Sequence, residues 1–319
     1  MIENSKLLNV KGLSFAYEDK EVLKNVSFKL LANERLGVVG SSGSGKSTLL
    51  KLIQARILPR KGSLHLNGVP FHESRNNLLK LHPGVSLMSQ DFDLDPSISA
   101  DENIARAGRH LSESLQSRLK GKMLRAFQMQ AFKHQKIRFL SGGQKQRVAL
   151  ACALIGKCEL LLLDEPFSQL DYQLKQQVLE FLEEVDLAKA LIIVGHEPSD
   201  LMRFCDRIAV LDKGRLLQIA EVEEIYHRPK NRRVGELSGI INSLSKEEKE
   251  SLGLEHQLFR PLHCRLSPDG PWKLLSISYH AFGQIGVLEH NSGVKVRAQI
   301  PMEGSYVIGS WWTLSQKKP

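Results

Sequence analysis

Gly40-Ser41-Ser42-Gly43-Ser44-Gly45-Lys46-Ser47-Thr48 constrains this 319-residue chain more than any other segment. It follows the apolar run Leu36 to Val39 and opens a helical pattern, Ser47 to Gln54. Glycines between a strand and a helix let consecutive backbone N–H groups point inward, at the positive end of the helix, where a chain of phosphates fits. Gly40, Ser41, Ser42, Gly43, Ser44, Gly45 and Thr48 are therefore expected to cradle an anion. Lys46 is expected to neutralise it, and the Ser47 hydroxyl to ligate Mg²⁺.

The surrounding pattern agrees with such a loop. Residues 7 to 40 read as strands at Leu7 to Val10, Val22 to Leu30 and Arg35 to Val39, broken by Glu18, Asp19 and Asn33. Strands and helices then alternate through Val85 to Ser89, Gly143 to Ile155, Leu160 to Leu163, Tyr172 to Val185 and Leu191 to Val194. That alternation predicts a parallel sheet flanked by helices. Between Asp91 and Phe139 the pattern is wholly helical, an inserted subdomain over 91–139. Past residue 240 a polar stretch, Ser243 to Ser251, precedes strand-like runs at Phe259 to Leu266, Leu274 to Tyr279, Gln284 to Glu289, Val294 to Ile300 and Tyr306 to Leu314. Pro268-Asp269-Gly270, Asn291-Ser292-Gly293 and Met302-Glu303-Gly304 supply turn chemistry between them. The expected organisation is an α/β domain over 1–239 and a small accessory β-barrel, OB-like, over 240–319.

Two further segments carry chemistry. Leu160-Leu161-Leu162-Leu163 ends in Asp164-Glu165, and core packing gives no reason to place two carboxylates there. Downstream of a phosphate loop, Asp164 is expected to hold Mg²⁺, and Glu165 to polarise a water that attacks the terminal phosphate. Leu140-Ser141-Gly142-Gly143-Gln144-Lys145-Gln146-Arg147 makes a second helix N-terminus suited to an anion. One phosphate loop and two phosphate-binding helix ends in one chain imply a dimer.

On these residues the sequence resembles the ABC ATPase family, in which the Ser141-Gly142-Gly143-Gln144 segment of one subunit closes over the nucleotide held by another. The resemblance implies a P-loop NTPase cassette that binds ATP and Mg²⁺. It gives further residues a meaning: Tyr17 as the adenine-stacking aromatic, Gln90 as a contact to Mg²⁺ and the attacking water, and His196 as the switch histidine. Ser168-Gln169-Leu170-Asp171 matches the loop that crosses the dimer axis, with Asp171 orienting the opposite site; an N-cap reading is compatible with this. Departures are Gly195 and Glu197 around the histidine, Asn33 in place of a turn glycine, and Gln54-Ala55-Arg56, which lacks the glycine common after the first helix.

Asp206-Arg207-Ile208, Gly214 and Glu224-Ile225-Tyr226-His227-Arg228-Pro229 resemble the end of importer-type ATPase domains that carry an accessory barrel. Phe259-Arg260-Pro261 and Phe282-Gly283-Gln284 resemble motifs of the barrel itself, with Leu262 where an acidic residue is usual. The resemblance implies transmembrane permease subunits, a second copy or a homologous ATPase subunit, and a substrate-binding protein as partners. It places the chain on the cytoplasmic face of a membrane. An exporter ATPase and a soluble ABC ATPase acting on ribosomes or DNA are the alternatives.

Composition bounds the rest. No apolar run approaches the ~20 residues of a membrane-spanning helix, and the start, Met1 to Gly12, has no secretory signal pattern. Cys152, Cys158, Cys205 and Cys264 show no metal or disulfide spacing and read as core residues in a reducing compartment. The formal charge of +9 is dispersed and reads as a solvated surface, not a nucleic-acid interface. Arg118 to Arg138 is the exception, basic without an acidic residue and expected to be helical. It reads either as a solvated face or as a contact for anionic lipid or an acidic partner.

Overall fold

Continuous apolar runs such as Leu160 to Leu163 suit strands covered on both faces, and in the computed structural model they build a six-stranded sheet. The described residues are 6–71, 82–184, 188–280, 283–301 and 306–316. The strands of this sheet run, edge to edge, Arg215–Glu221, Arg207–Asp212, Arg35–Val39, Ala188–Val194, Cys158–Asp164 and Val85–Met88. Arg35–Val39 and Cys158–Asp164 are each parallel to both neighbours. The register pairs Val38 and Asp164 with Val194, and Met88 with Leu163. All four of these strands therefore end at one edge, where the segments holding Gly40, Gln90, Glu165 and His196 begin.

A second, antiparallel sheet runs Lys20–Leu31, Lys6–Tyr17, Lys61–Leu66, Val69–Pro70. Leu8, Leu13 and Leu23 from it share one core with Leu36, Leu50, Leu162 and Ile192. Helices Ala100–Ala107 and Glu113–Ala126 occupy the expected insertion, the first held by a capping box between Ser99 and Glu102. The helix expected to run through Arg118 to Arg138 stops at Ala126, a correction with a local cause. Arg147 Nη1 donates to the carbonyls of Phe127 and Gln128 at 3.3 and 3.2 Å, and Gln128 turns left-handed at φ 50°. Those carbonyls leave the helical ladder for the guanidinium, so no further turn forms.

Asn33 adopts φ 62°, as an asparagine in a glycine position can. Ala55 adopts φ 63° just beyond helix Lys46–Ile53, and its methyl group carries no polar atom to hydrogen-bond locally in compensation. A left-handed non-glycine residue costs about 1–2 kcal/mol, offset by ~0.4–1 kcal/mol for the floppier unfolded glycine chain. Ala55→Gly is expected to raise stability by about 0.5–1 kcal/mol; an unchanged or lowered urea midpoint at constant m-value would contradict this strain.

The chain divides into two units, Met1–Ala220 and Glu221–Pro319. The second begins earlier than the change of character at residue 240, and it includes helices Val222–His227 and Arg232–Leu237. Its sheet has four antiparallel strands in the order Lys295–Ile300, Gly283–His290, Cys264–His280, Trp311–Gln316. Trp272, Leu274, Leu288, Val296 and Leu314 form its core.

Here the sequence reading needs two corrections. Pro268-Asp269-Gly270 does not separate one strand from the next; it is a bulge inside Cys264–His280, where Pro268 and Trp272 both pair with Trp312. A Cβ on Gly270 would lie 2.4 Å from the Trp312 carbonyl oxygen, so the bulge requires glycine. The last strand begins at Trp311, not Tyr306, because Ser310 N–H closes a turn onto the Val307 carbonyl with Gly309 at φ 92°. Asn291-Ser292-Gly293 does form a turn, with Gly293 at φ 84°. Phe282, Met302-Glu303-Gly304 and Val185 lie outside the described residues.

Arg260 explains why residues 226–240 belong with the second unit. Its side chain is fully buried and donates to the carbonyls of Tyr226, Gly235 and Ile240 and to Ser238 Oγ, at 2.7–3.0 Å. Its guanidinium also stacks 4.5 Å from the Tyr226 ring centroid. Arg260→Ala strands several buried acceptors at ~1–3 kcal/mol each. A loss of about 3–5 kcal/mol is expected in chemical denaturation; a loss below about 1 kcal/mol would show that the cage carries no stability.

Candidate active site

The loop after Val39 is shaped by contacts that leave no room for a side chain at Gly40 or Gly45. A Cβ on Gly40 would sit 2.0 Å from the Leu211 carbonyl oxygen, and one on Gly45, at φ 103°, would meet Leu23 Cδ2 at 2.7 Å. Gly43, at φ 73°, faces open space at the exposed crown beside Ser42. The Ser41 hydroxyl donates to Asp212 Oδ1 at 2.7 Å, fixing the base of the loop to the end of strand Arg207–Asp212. Lys46, 5% exposed, donates to the Gly40 and Ser41 carbonyls at 2.9 and 3.0 Å, and so spans the loop from inside. Burial pushes its pKa below the usual lysine value, opposed by the charges of Glu165 and Asp164.

Two buried oxygens here have no hydrogen-bond partner, Ser44 Oγ and Asp164 Oδ1. Burial raises the Asp164 pKa, opposed by a hydrogen bond with Ser47 and by the charges of Lys46 and Lys51, while the Glu165 charge adds to the rise. An unsatisfied buried carboxylate oxygen next to a serine hydroxyl is costly unless something completes it. A divalent cation held by Ser47 and Asp164, with phosphate above, fits that donor set and the open loop. Among the described residues no cluster of three His, Cys, Asp or Glu forms a protein-only metal cage, so phosphate and water oxygens would fill the remaining positions.

Glu165 stands at the strand end with φ 53°, held by its N–H to the Val194 carbonyl at 2.9 Å. Its Oε1 lies 2.6 Å from His196 Nε2, and its Oε2 lies 3.5 Å from Gln90 Nε2. Three residues separated by 75 and 31 positions in sequence thus meet on one carboxylate. The segment that carries Gln90 is tied down beside it: Ser89 Oγ and Arg56 both donate to Asp93 Oδ2, at 2.9 and 2.7 Å. Burial raises the Asp93 pKa, but those hydrogen bonds and the charges of Arg56 and Lys51 outweigh it and hold it low.

The other expected residues stand apart from this cluster. Ser141 caps helix Gly142–Ile155, its Oγ accepting from Gln144 N–H at 3.3 Å while Gln144 Oε1 accepts from Ser141 N–H at 2.9 Å. Gly143 must lack a side chain, since a Cβ there would lie 2.9 Å from the Gln169 backbone carbonyl oxygen, whereas one on Gly142 would meet only the movable end of the Gln169 side chain. Asp171 Oδ1 accepts from Leu174 N–H at 2.9 Å, the N-cap reading. Tyr17 is 46% exposed and edge-on to Phe15 at 4.8 Å. Among the described residues, no hydrogen bond joins Ser141–Gln144 or Tyr17 to the phosphate loop.

Sequence reading missed Asp212, Asp93 and Gln146. Gln146 had one detectable signal: it is a polar residue in register with the buried Ala149, Leu150 and Ala153 of its helix. Nothing local marks Asp212 or Asp93.

Known proteins resemble this chain over most of its length. A family model described as ABC transporter matches residues 23–168. The putrescine transport ATP-binding protein PotG of Escherichia coli (strain K12) is 34% identical over 268 residues, 79% of this chain and 69% of the relative. The glucose import ATP-binding protein GlcV of Saccharolobus solfataricus is also 34% identical, over 245 residues, 74% of this chain and 69% of the relative. A solved dimeric bacterial ABC transporter cassette, 26% identical, matches with a TM-score of 0.61, covering 68% of this chain and 99% of that one.

Proposed function

This chain belongs to the ATP-binding subunits of ABC transporters, and from that premise we propose that it drives a substrate importer by ATP-dependent closure of a dimer. The observation that carries the chemistry is the unsatisfied Asp164 Oδ1 beneath Lys46 and Ser47, next to a Glu165 carboxylate already engaged by His196. Bound Mg-ATP supplies the γ-phosphoryl group and a divalent charge that offsets its oxygens. Backbone N–H groups from Gly43 to Thr48 bind phosphate, and Lys46 Nζ exchanges its carbonyl partners for phosphate oxygens. Ser47 and Asp164 hold the cation, and Gln90 reaches it from the end of strand Val85–Met88, at the entry to the helical insertion. Glu165 orients water and takes up its proton, while His196 fixes the Glu165 rotamer and senses the γ-phosphate.

Tyr17 offers its exposed ring to adenine. Ser141, Gly142, Gly143 and Gln144 serve the nucleotide of a second subunit, either another copy or a homologous ATPase, and Asp171 orients the opposite site. Their separation from this chain's own loop supports that division.

Importer relatives support the direction of transport. PotG and GlcV carry putrescine and glucose in their names at the same identity to this chain, so resemblance across the cassette does not select a cargo. The four-stranded sheet within Glu221–Pro319 supports an accessory domain of the OB-like barrel type, acting in dimer support. Among the described residues no helix is long and apolar enough to cross a membrane. Permease subunits are the proposed tie to the cytoplasmic face, with a substrate-binding protein delivering cargo.

The test is isolation of the Glu165→Gln protein from its native membrane in gentle detergent with ATP. A multi-span permease together with a binding protein is the expected catch. Ribosomal or DNA-associated partners without a permease would overturn the transport reading, and a permease with no binding protein would favour export.

A further inference from the structure

Glu165 is a non-glycine residue in the left-handed backbone region, φ 53°, at the point where its carboxylate must meet His196. Few side chains hold that conformation without outside help. The help comes from a residue outside the site described above. Gln146, in the second turn of helix Gly142–Ile155, is 1% exposed, and its amide is spent wholly on the segment after Glu165. Its Nε2 donates to the Glu165 carbonyl at 2.8 Å and to Ser168 Oγ at 3.1 Å, and its Oε1 accepts from Gln169 N–H at 2.9 Å. Ser168 Oγ in turn donates to the same Glu165 carbonyl at 3.1 Å. One peptide oxygen thus receives two side-chain donors, and with the Glu165 N–H held by the Val194 carbonyl the backbone is fixed on both sides of its Cα, which sets the direction in which the side chain leaves.

We propose that Gln146 is a positioning residue for hydrolysis, fixing the Glu165 peptide so that its carboxylate is aimed at the attacking water. Gln146, buried with its amide fully engaged, acts only through Glu165 and the Ser168-Gln169 loop. The same helix begins with Ser141-Gly142-Gly143, so the element proposed to meet a second subunit's nucleotide is hydrogen-bonded to the peptide that carries this subunit's own hydrolytic carboxylate. The inference rests on Glu165 being the residue that polarises water.

The experiment uses the full chain with Gln146→Leu and Gln146→Met, each close to glutamine in volume. ATP turnover at saturating Mg-ATP, KM, affinity for a fluorescent ATP analogue and the thermal midpoint are measured together. Turnover is expected to fall about 10- to 100-fold, with KM and analogue affinity within about twofold of the parent. In a Glu165→Gln background the same substitutions are expected to add no further loss, since their route of action is already removed. Turnover within about twofold of the parent, or losses that multiply with Glu165→Gln, would overturn the proposal. Normal turnover in Glu165→Gln alone identifies a different failure, that of the reading of Glu165, and removes the ground on which Gln146 stands. If neither Gln146 variant folds, Ser168→Ala at an exposed position takes one donor from the same carbonyl. A severalfold fall in turnover at unchanged KM then supports the proposal, and unchanged turnover sinks it.

Discussion

Glu165→Gln is expected to lower ATP turnover by about 10²- to 10⁴-fold while nucleotide affinity stays within about twofold. The substitution keeps the size and the hydrogen-bonding reach of the side chain and removes only its basicity. Oε1 lies 2.6 Å from His196 Nε2, and an amide oxygen there can still accept from an imidazole N–H. Lys46, Ser47 and Asp164, the residues proposed to bind phosphate and cation, are untouched. The protein should therefore load nucleotide, close its dimer and stall, and a doubled mass in size-exclusion chromatography with ATP but not ADP would report the stall. Multiple turnovers at the parental rate would remove Glu165 from the chemistry and leave His196 or Gln90 to carry it.

Lys46→Ala is expected to abolish tight ATP binding, with a loss of about 10²- to 10³-fold in affinity. Hydrogen bonds to a charged group contribute ~1.5–3 kcal/mol each, and this ammonium spans two positions on the loop. Nζ donates to the Gly40 and Ser41 carbonyls, so it is already aimed into the cradle and reorganises little on binding. Its pH behaviour gives a second readout. Burial depresses its pKa, so as pH rises through that folded value toward the ordinary ~10.4 the unfolded chain holds the proton that the folded chain has released. More protons on the unfolded state mean that the Lys46 contribution to stability rises with pH across this window. ATP affinity moves the other way, because binding uses the charged form. Affinity measured by fluorescence titration should fall with alkaline pH in the parent and stay flatter in Lys46→Ala. A parallel fall in both would show that another group controls binding.

Much of this site was legible because its chemistry demands adjacent residues. Gly40 to Ser47 must be contiguous for successive N–H groups to converge, and in the proposed mechanism Asp164-Glu165 must end one apolar strand to present one carboxylate to metal and the next to water. Periodicity exposed the parallel strands for the same reason: covered strands must be apolar along their whole length. Elsewhere one local pattern served two structures. Pro268-Asp269-Gly270 suits a hairpin turn and a bulge equally, and the ladder to Trp312 decided for the bulge. The basic run after Arg118 is compatible with a longer helix, and Arg147, drawing off two carbonyls, decided where it ends.

By itself, then, the sequence determined the strands of the parallel sheet, the glycine-rich loop after Val39, the carboxylate pair and the glycine-rich helix start capped by Ser141. Each of these is a property of neighbouring residues, written by spacing. Only the tertiary structure decided that Glu165 meets His196 and Gln90 on one carboxylate, that Asp212 anchors the loop across 171 positions, and that Gln146 supports the Glu165 peptide. Those contacts depend on which strands lie side by side and which polar atoms are buried between them. Burial leaves such atoms no alternative to each other, and no short stretch of sequence contains both partners.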